Sequence, residues 1–349
     1  MDLSIAAILA QDGITNGAVY ALLAMALVLV FSVTRVIFLP QGEFVGFGAL
    51  TLAALQTEQF PRLVGLLLAL GVATFLTELV TALHHRRYKP LSPKLLGWSA
   101  AENLLYPLLV WALVSVLPWH TLPMVLQILL VLGITVPLGL MIYRLAYQPV
   151  AEASVLVLLI VSVAVHFALL SLGLLVFGPE GSRTLPFTEW STSVGALLIS
   201  GQSALVVVVS LSLIALLYLF FDRTLMGKAL RATAVNRNGA RLVGIGTTQA
   251  GRLAFGLSAG LGSLAGILIG PMNTVQYDTG FVVALKGFVA AIIGGLASYP
   301  LAAIGAVLVG LLESYSSFWA SDYKEVIVFT LILPVLAWRS WRSPHSDEE

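Results

Sequence analysis

The chain has 349 residues, of which 59% are hydrophobic and 10% charged, 18 Lys and Arg against 17 Asp and Glu. A soluble globular protein carries about 25% charged residues, so this composition excludes an ordinary soluble enzyme. A mean hydropathy of +0.98 excludes disorder, and a net charge of +1 argues against a nucleic-acid footprint.

A membrane span takes about 20 apolar residues, so this length holds roughly ten or eleven. Asp2 is the only early charge, and the N-terminus lacks the basic region of a cleaved signal, so it is expected to belong to the mature chain. Apolar segments run at 12–34, 36–57, 62–83, 100–118, 122–143, 154–177, 194–221, 251–272, 281–297, 300–319 and 324–338. Continuous apolar runs at 22–31 and 204–221 lack the alternation of barrel strands. The expected fold is therefore all-α, a polytopic transmembrane helical bundle of about 10–11 spans including broken helices, in one domain over 1–349.

Segment 36–57 is interrupted by Pro40, Gly42, Gly46 and Gly48 and carries Gln41 and Glu43. It either crosses or re-enters. Segment 281–297 is short and carries Lys286, Gly287, Gly294 and Gly295. Interrupted segments at membrane depth are tolerated where they are buried in protein or line a water-filled cavity, and they point to a substrate path. Gln41, Glu43 and Lys286 are thus candidate path residues, with Glu43 and Lys286 able to pair with each other or with a neighbouring subunit; the competing reading is that they lock broken helices in place. Glu78 and Glu313 lie near expected helix ends and are read as facing water or capping neighbours. His166, in an apolar helix, is read as an interhelical hydrogen-bonding group. His84 and His85 have no ligand at metal spacing, and without Cys there is no thiolate site. No metal, cofactor or catalytic group is expected.

The loops sort by charge. Loop 84–94 holds Arg86, Arg87, Lys89 and Lys94; loop 222–252 holds Arg223, Lys228, Arg231, Arg237, Arg241 and Arg252 against Asp222; the tail 339–349 holds Arg339 and Arg342. By the positive-inside rule all three are cytoplasmic. Residues 226–235 are good helix formers; Asn236 and Asn238 suit a turn or cap. Residues 240–243 make a second short helix stopped by Gly244 and Gly246, and Thr247 or Thr248 caps the next span. Such a basic helix pair suits a lipid surface or a docked protein. Beyond it, Gly256-Leu257-Ser258-Ala259-Gly260, Gly262-Ser263-Leu264-Ala265-Gly266 and Gly266-Ile267-Leu268-Ile269-Gly270 are successive small-xxx-small steps, which let helix backbones approach closely.

Several strings in order carry a resemblance: Gly17-Ala18-Val19-Tyr20-Ala21-Leu22; Arg35-Val36-Ile37 leading to Gln41-Gly42-Glu43-Phe44; Tyr143-Arg144-Leu145-Ala146-Tyr147-Gln148-Pro149; Gly227-Lys228-Ala229-Leu230-Arg231-Ala232; Ala240-Arg241-Leu242-Val243-Gly244; Leu285-Lys286-Gly287-Phe288; and Gly310-Leu311-Leu312-Glu313. With these the chain resembles branched-chain amino-acid ABC transporter permeases of the LivH type, over about 1–80 and 141–340. Residues 84–120, with Trp98, Trp111 and Trp119, look like an insertion relative to that family.

The resemblance implies a non-catalytic permease subunit of an ATP-driven importer in a bacterial inner membrane. Its substrates would be branched-chain amino acids or related small polar solutes such as urea, short amides and carboxylates. Its implied partners are a second related permease in a heterodimer, two cytoplasmic ATPase subunits, an external substrate-binding protein and membrane lipid. The loop 222–252 would hold the coupling helix, with Lys228, Arg231, Ala234, Asn236, Arg237, Ala240 and Arg241 as coupling residues. The chain carries no P-loop of its own, because Gly246-Thr247-Thr248-Gln249-Ala250-Gly251-Arg252-Leu253 lacks the Lys and hydroxyl that hold phosphate and magnesium. The alternative is a self-sufficient secondary transporter, for which Glu43 is the one good coupling carboxylate in the spans.

Overall fold

A computed structural model describes residues 3–84, 93–194 and 197–342. Arg86, Arg87 and Lys89 of the first basic loop, His85 and the acidic tip 347–349 lie outside them. The helices are α1 (Leu3–Thr34), α2 (Gln41–Gln56), α3 (Leu63–His84), α4 (Pro93–Ala100), α5 (Tyr106–Val116), α6 (Met124–Ile142), α7 (Val155–Phe177), α8 (Gly201–Arg223), α9 (Leu225–Val235), α10 (Arg237–Leu242), α11 (Thr247–Ile269), α12 (Thr279–Ile293), α13 (Tyr299–Trp319), α14 (Lys324–Thr330) and α15 (Ile332–Arg342). Among the described residues, eight helices are long and apolar enough to cross a membrane. The short α2 and α12 and the broken pair α14–α15 complete an all-α polytopic bundle.

The boundaries depart from the sequence reading where local chemistry intervenes. Residues expected to open the seventh span form an antiparallel hairpin instead, β1 (Ser191–Val194) with β2 (Leu197–Ser200), and α8 starts at Gly201. Ser200 fixes that start, its Oγ accepting from the Ser203 amide at 3.1 Å. The first helix begins well before residue 12 and, at 32 residues, is about 48 Å long. The last segment breaks at Leu331 into α14 and α15. Gly294 and Gly295, read as interrupting a span, form the turn that joins α12 to α13, with Gly295 at φ 69°.

Burial separates centre from rim. In α2, fourteen residues are buried, so this short helix is enclosed by protein nearly all round, the condition under which a sub-length segment is tolerated in a bilayer. The glycine-rich α11 lies against it: a Cβ on Gly266 would strike the Val45 carbonyl, and on Gly256 the Leu140 side chain of α6. The small-residue steps thus serve two neighbours. By contrast α5, α7 and α8 expose Leu108, Leu109, Ile160, Phe167, Leu211 and Leu216, apolar side chains that suit contact with lipid.

Candidate functional site

Glu43 sits in the first turn of α2, where the helix dipole favours a carboxylate. Its Oε1 lies 2.7 Å from Nδ1 of His166 on α7, with the two side chains 1% and 6% exposed. Against an ionised carboxylate, Nδ1 carries the proton and donates. The imidazole is stacked on Phe281 of α12 at 4.2 Å between centroids, so α2, α7 and α12 meet at this pair. One turn away on α7, Ser162 Oγ meets Tyr147 Oη at 3.0 Å. Oε2 of Glu43 has no hydrogen-bond partner among the described residues. Gln41, wholly buried, donates from Nε2 to the Leu23 carbonyl of α1 at 3.1 Å.

A second buried cluster joins α1, α12 and α13. Lys286 Nζ lies 2.5 Å from Glu313 Oε1, and Tyr20 Oη donates to Glu313 Oε2 at 2.6 Å. Both carboxylate oxygens are thereby satisfied, which a buried charge requires. Lys286 and Glu43 do not pair with each other, because their side chains are taken by different helices. Glu313, expected to face water or cap a neighbour, lies toward the C-terminal end of α13 but is buried and ion-paired. Glu78 likewise sits within α3 and pairs with Arg144 at 3.0 Å.

Gln41, Glu43 and Lys286 are therefore three inward-facing groups held by intrachain partners, and the structure does not bring them together around one opening. Glu313 and Tyr20 were missed because a lone Glu and a lone Tyr on apolar helices give no pairing signal in sequence. An uncompensated Lys286 was the available clue, since a membrane-buried cation demands a partner.

The 222–252 loop is folded. Thr224 caps α9, its Oγ1 accepting from the Gly227 amide at 2.9 Å, and Asn236 caps α10 by accepting from Gly239 at 2.8 Å. Gly244, at φ 86°, follows α10 as the left-handed terminator. Neither Thr247 nor Thr248 caps α11; Gly246 stands at that position, and Thr247 Oγ1 instead accepts from Arg241 Nε at 3.0 Å. Gly227 allows α9 to turn back against α8, since a Cβ there would strike the Phe220 carbonyl.

Of the candidate coupling residues, Lys228, Arg231, Asn236 and Arg241 are exposed, Ala234 and Arg237 half-buried, and Ala240 is buried. Ala240 thus packs inward and presents nothing to a docking partner. Arg237 and Arg241 brace the loop: Arg237 Nη1 donates to the Ala151 carbonyl, and Arg241 Nη2 to Glu152 Oε1, each at 3.0 Å. What the loop presents is mixed, because Leu225, Met226, Val235, Leu242 and Val243 are exposed beside Lys228, Arg231, Asn236 and Arg241.

Two cavities border these elements. One of about 340 Å³ contains Glu102, Arg144 and Arg252. There Glu102 Oε2 accepts from Arg252 Nη2 at 2.6 Å and from Arg144 Nη2 at 3.1 Å, tying the α4–α5 segment to α11 and to the helical turn that follows α6. Arg252, counted in sequence as a loop cation, is thus a buttress within α11. The other cavity, about 780 Å³, lies between α1, α8, α9 and the α12–α13 turn.

Residues 103–336 match the family described as branched-chain amino acid transport system, permease component; the match begins within the 84–120 segment. Among curated proteins, the chain is similar to the high-affinity branched-chain amino acid transport system permease protein LivH of Escherichia coli K12. The two are 32% identical over 209 residues, 57% of this chain and 67% of the relative. It is 28% identical over 214 residues to the corresponding permease protein BraD of Pseudomonas aeruginosa, covering 59% and 69%. To a probable branched-chain amino acid transport permease protein LivH of Methanocaldococcus jannaschii it is 29% identical over 238 residues, covering 64% and 73%. No solved structure matches the chain.

Proposed function

The chain belongs to the family of branched-chain amino acid transport system permease components, and from that premise we propose that it is the membrane subunit of an ATP-driven importer, coupled to its motor through residues 222–252. It is a multi-pass membrane protein; its place in this reading is a bacterial inner membrane, beside a second, related permease. Two cytoplasmic ATPase subunits supply energy, and an external binding protein delivers a branched-chain amino acid or a related small polar solute.

The observation that carries the reading is the form of the loop. The helix pair α9–α10 is capped at both starts, pinned to residues 151–152 by two arginines, and continuous with α8 and α11. An element held this way transmits displacement to two spans. Its surface exposes Leu225, Met226, Val235, Leu242 and Val243 together with Lys228, Arg231, Asn236 and Arg241, and exposed apolar side chains in such number suit a protein partner better than water. Ala240 and Arg237 serve in this reading to hold the pair together, and Leu242 and Met226 to meet the ATPase.

Gln41, Glu43 and Lys286 contribute by fixing the short helices α2 and α12 against α1, α7 and α13. The substrate path then runs beside these helices, against the second permease, instead of between the two buried charges. The reading is tested by reconstituting the chain with its neighbouring subunits in liposomes and measuring uptake with and without internal ATP. ATP-independent accumulation by the chain alone would overturn it.

A further inference from the structure

The 780 Å³ cavity has no role in the transport reading. Its interior is apolar and buried, lined by Met25 and Leu29 of α1, Phe221 of α8 and Leu230 of α9. Its mouth carries two exposed cations, Arg35 and Arg231. No acidic residue among the described residues lines it; the Arg35 backbone N–H donates to the Phe31 carbonyl, but neither guanidinium makes an ion pair or hydrogen bond among the described residues. Arg35 rests 6.0 Å from the Phe31 ring and has a left-handed backbone, φ 62°. A non-glycine residue in that region costs free energy and persists where the surroundings fix it. Here it directs the chain out of α1 at the cavity mouth. Tyr218, 66% exposed and on the same helix as the outward Leu211 and Leu216, also lines the space, so the cavity is continuous with the lipid-facing side of α8.

A volume of this size falls within the range of small-molecule sites, about 300–1,000 Å³. Apolar walls ending in unpaired arginines are complementary to an amphiphile with an anionic head. Basic pockets between membrane helices bind anionic lipid headgroups, and each buried methylene of an acyl chain adds to the binding. We propose that this cavity is a site for one anionic phospholipid, its acyl chain between α1 and α8 and its phosphate between Arg35 and Arg231. Because Arg231 belongs to α9 and Arg35 follows α1, the lipid bridges the folded loop to the central helix. The inference does not rest on the ATP-driven reading.

The test uses the full chain, purified with the subunits that accompany it and exchanged into nanodiscs of equimolar phosphatidylglycerol and phosphatidylcholine. Lipid retained after release from the nanodisc is identified by native mass spectrometry. Wild type is expected to retain phosphatidylglycerol in preference to phosphatidylcholine by roughly tenfold. The pair Arg35→Gln and Arg231→Gln together is expected to abolish the preference at an unchanged melting temperature. Ala303→Phe, which fills the cavity without touching charge, is expected to lower retention of both lipids. Equal retention by wild type, or an unchanged preference in the double arginine variant, overturns the proposal. So does displacement by excess inorganic phosphate, which would make the cavity a free-anion site, or loss of lipid when the second permease joins, which would make it a subunit interface.

Discussion

His166 on α7 holds Glu43 on α2 through a 2.7 Å contact between Nδ1 and Oε1, with both side chains almost fully buried. The pair fixes a helix too short to span on its own against one that does. Removing one partner of a buried pair leaves a desolvated charge and costs about 3–5 kcal/mol. His166→Ala is therefore expected to lower the melting temperature of the detergent-solubilised protein sharply, whereas Glu43→Gln, which keeps a hydrogen-bonding side chain, costs less. A melting temperature for His166→Ala equal to wild type would show that the contact contributes nothing.

The Lys286, Glu313 and Tyr20 cluster behaves as a unit. Lys286→Met leaves Glu313 with only the Tyr20 hydroxyl and is expected to destabilise by about 3–5 kcal/mol. Adding Glu313→Gln removes the orphaned charge, so the double variant is expected to be more stable than Lys286→Met alone. A double-mutant cycle on thermal unfolding measures the coupling. Additive effects would mean that the 2.5 Å contact does not operate in the membrane.

Backbone approach sets a third expectation. A Cβ on Gly280 would strike the Gly42 carbonyl, and one on Gly42 would meet the Cα of Phe281 at 2.7 Å. The α2–α12 crossing thus has no room for a side chain on either helix. Gly280→Leu is expected to overpack it by at least about 1–3 kcal/mol and to reduce the yield of folded protein. Gly65→Leu, where an added Cβ meets nothing within 4 Å, is the control and is expected to express normally.

The bundle was legible in the sequence because apolar runs near bilayer length leave few alternatives. The loop helices were legible as well: 226–235 and the Asn236 cap appear almost as read, in α9 and α10. The partners were not. Which face Glu43 or Lys286 turns to depends on how α2 and α12 cross their neighbours, and those crossings are set by Gly42, Gly280 and Gly266 through contacts distant in the chain. The hairpin at 191–200 was hidden for a different reason. Leu197, Leu198 and Ile199 extend the apolar run of α8, and only the cap at Ser200 marks where the helix begins.

The orientation expected from the basic loops has a direct test, since the chain has no native Cys. Asn238, on α10, and Leu185, in the segment before β1, are exposed and flank opposite ends of α8. Asn238→Cys is expected to react with an impermeant maleimide only after the membrane is permeabilised, and Leu185→Cys to react in intact cells. The reverse pattern would invert the positive-inside assignment.

The last prediction concerns how energy reaches the spans. In the proposed importer, force enters through α9–α10, and the structure separates residues that face outward from those that hold the pair together. Leu242 is 89% exposed, so Leu242→Asp has little effect on folding, yet it places an acidic charge on the loop surface that the proposal assigns to the ATPase. It is expected to weaken ATPase association or to uncouple hydrolysis from uptake while the melting temperature stays at the wild-type value. Ala240 is 3% exposed, and Ala240→Trp forces a large ring into a packed site. Its effect should be loss of the loop fold itself, visible as increased proteolysis between residues 224 and 246 before any coupling assay. Glu152→Ala removes the carboxylate that meets Arg241 and loosens the brace without altering the face, so it is expected to reduce coupling modestly at normal ATPase binding. The three variants are compared in liposomes by measuring substrate-stimulated hydrolysis and uptake on the same preparation. If Leu242→Asp and Glu152→Ala both couple like wild type, the loop is not the transmission element, and the folded helix pair must serve another surface.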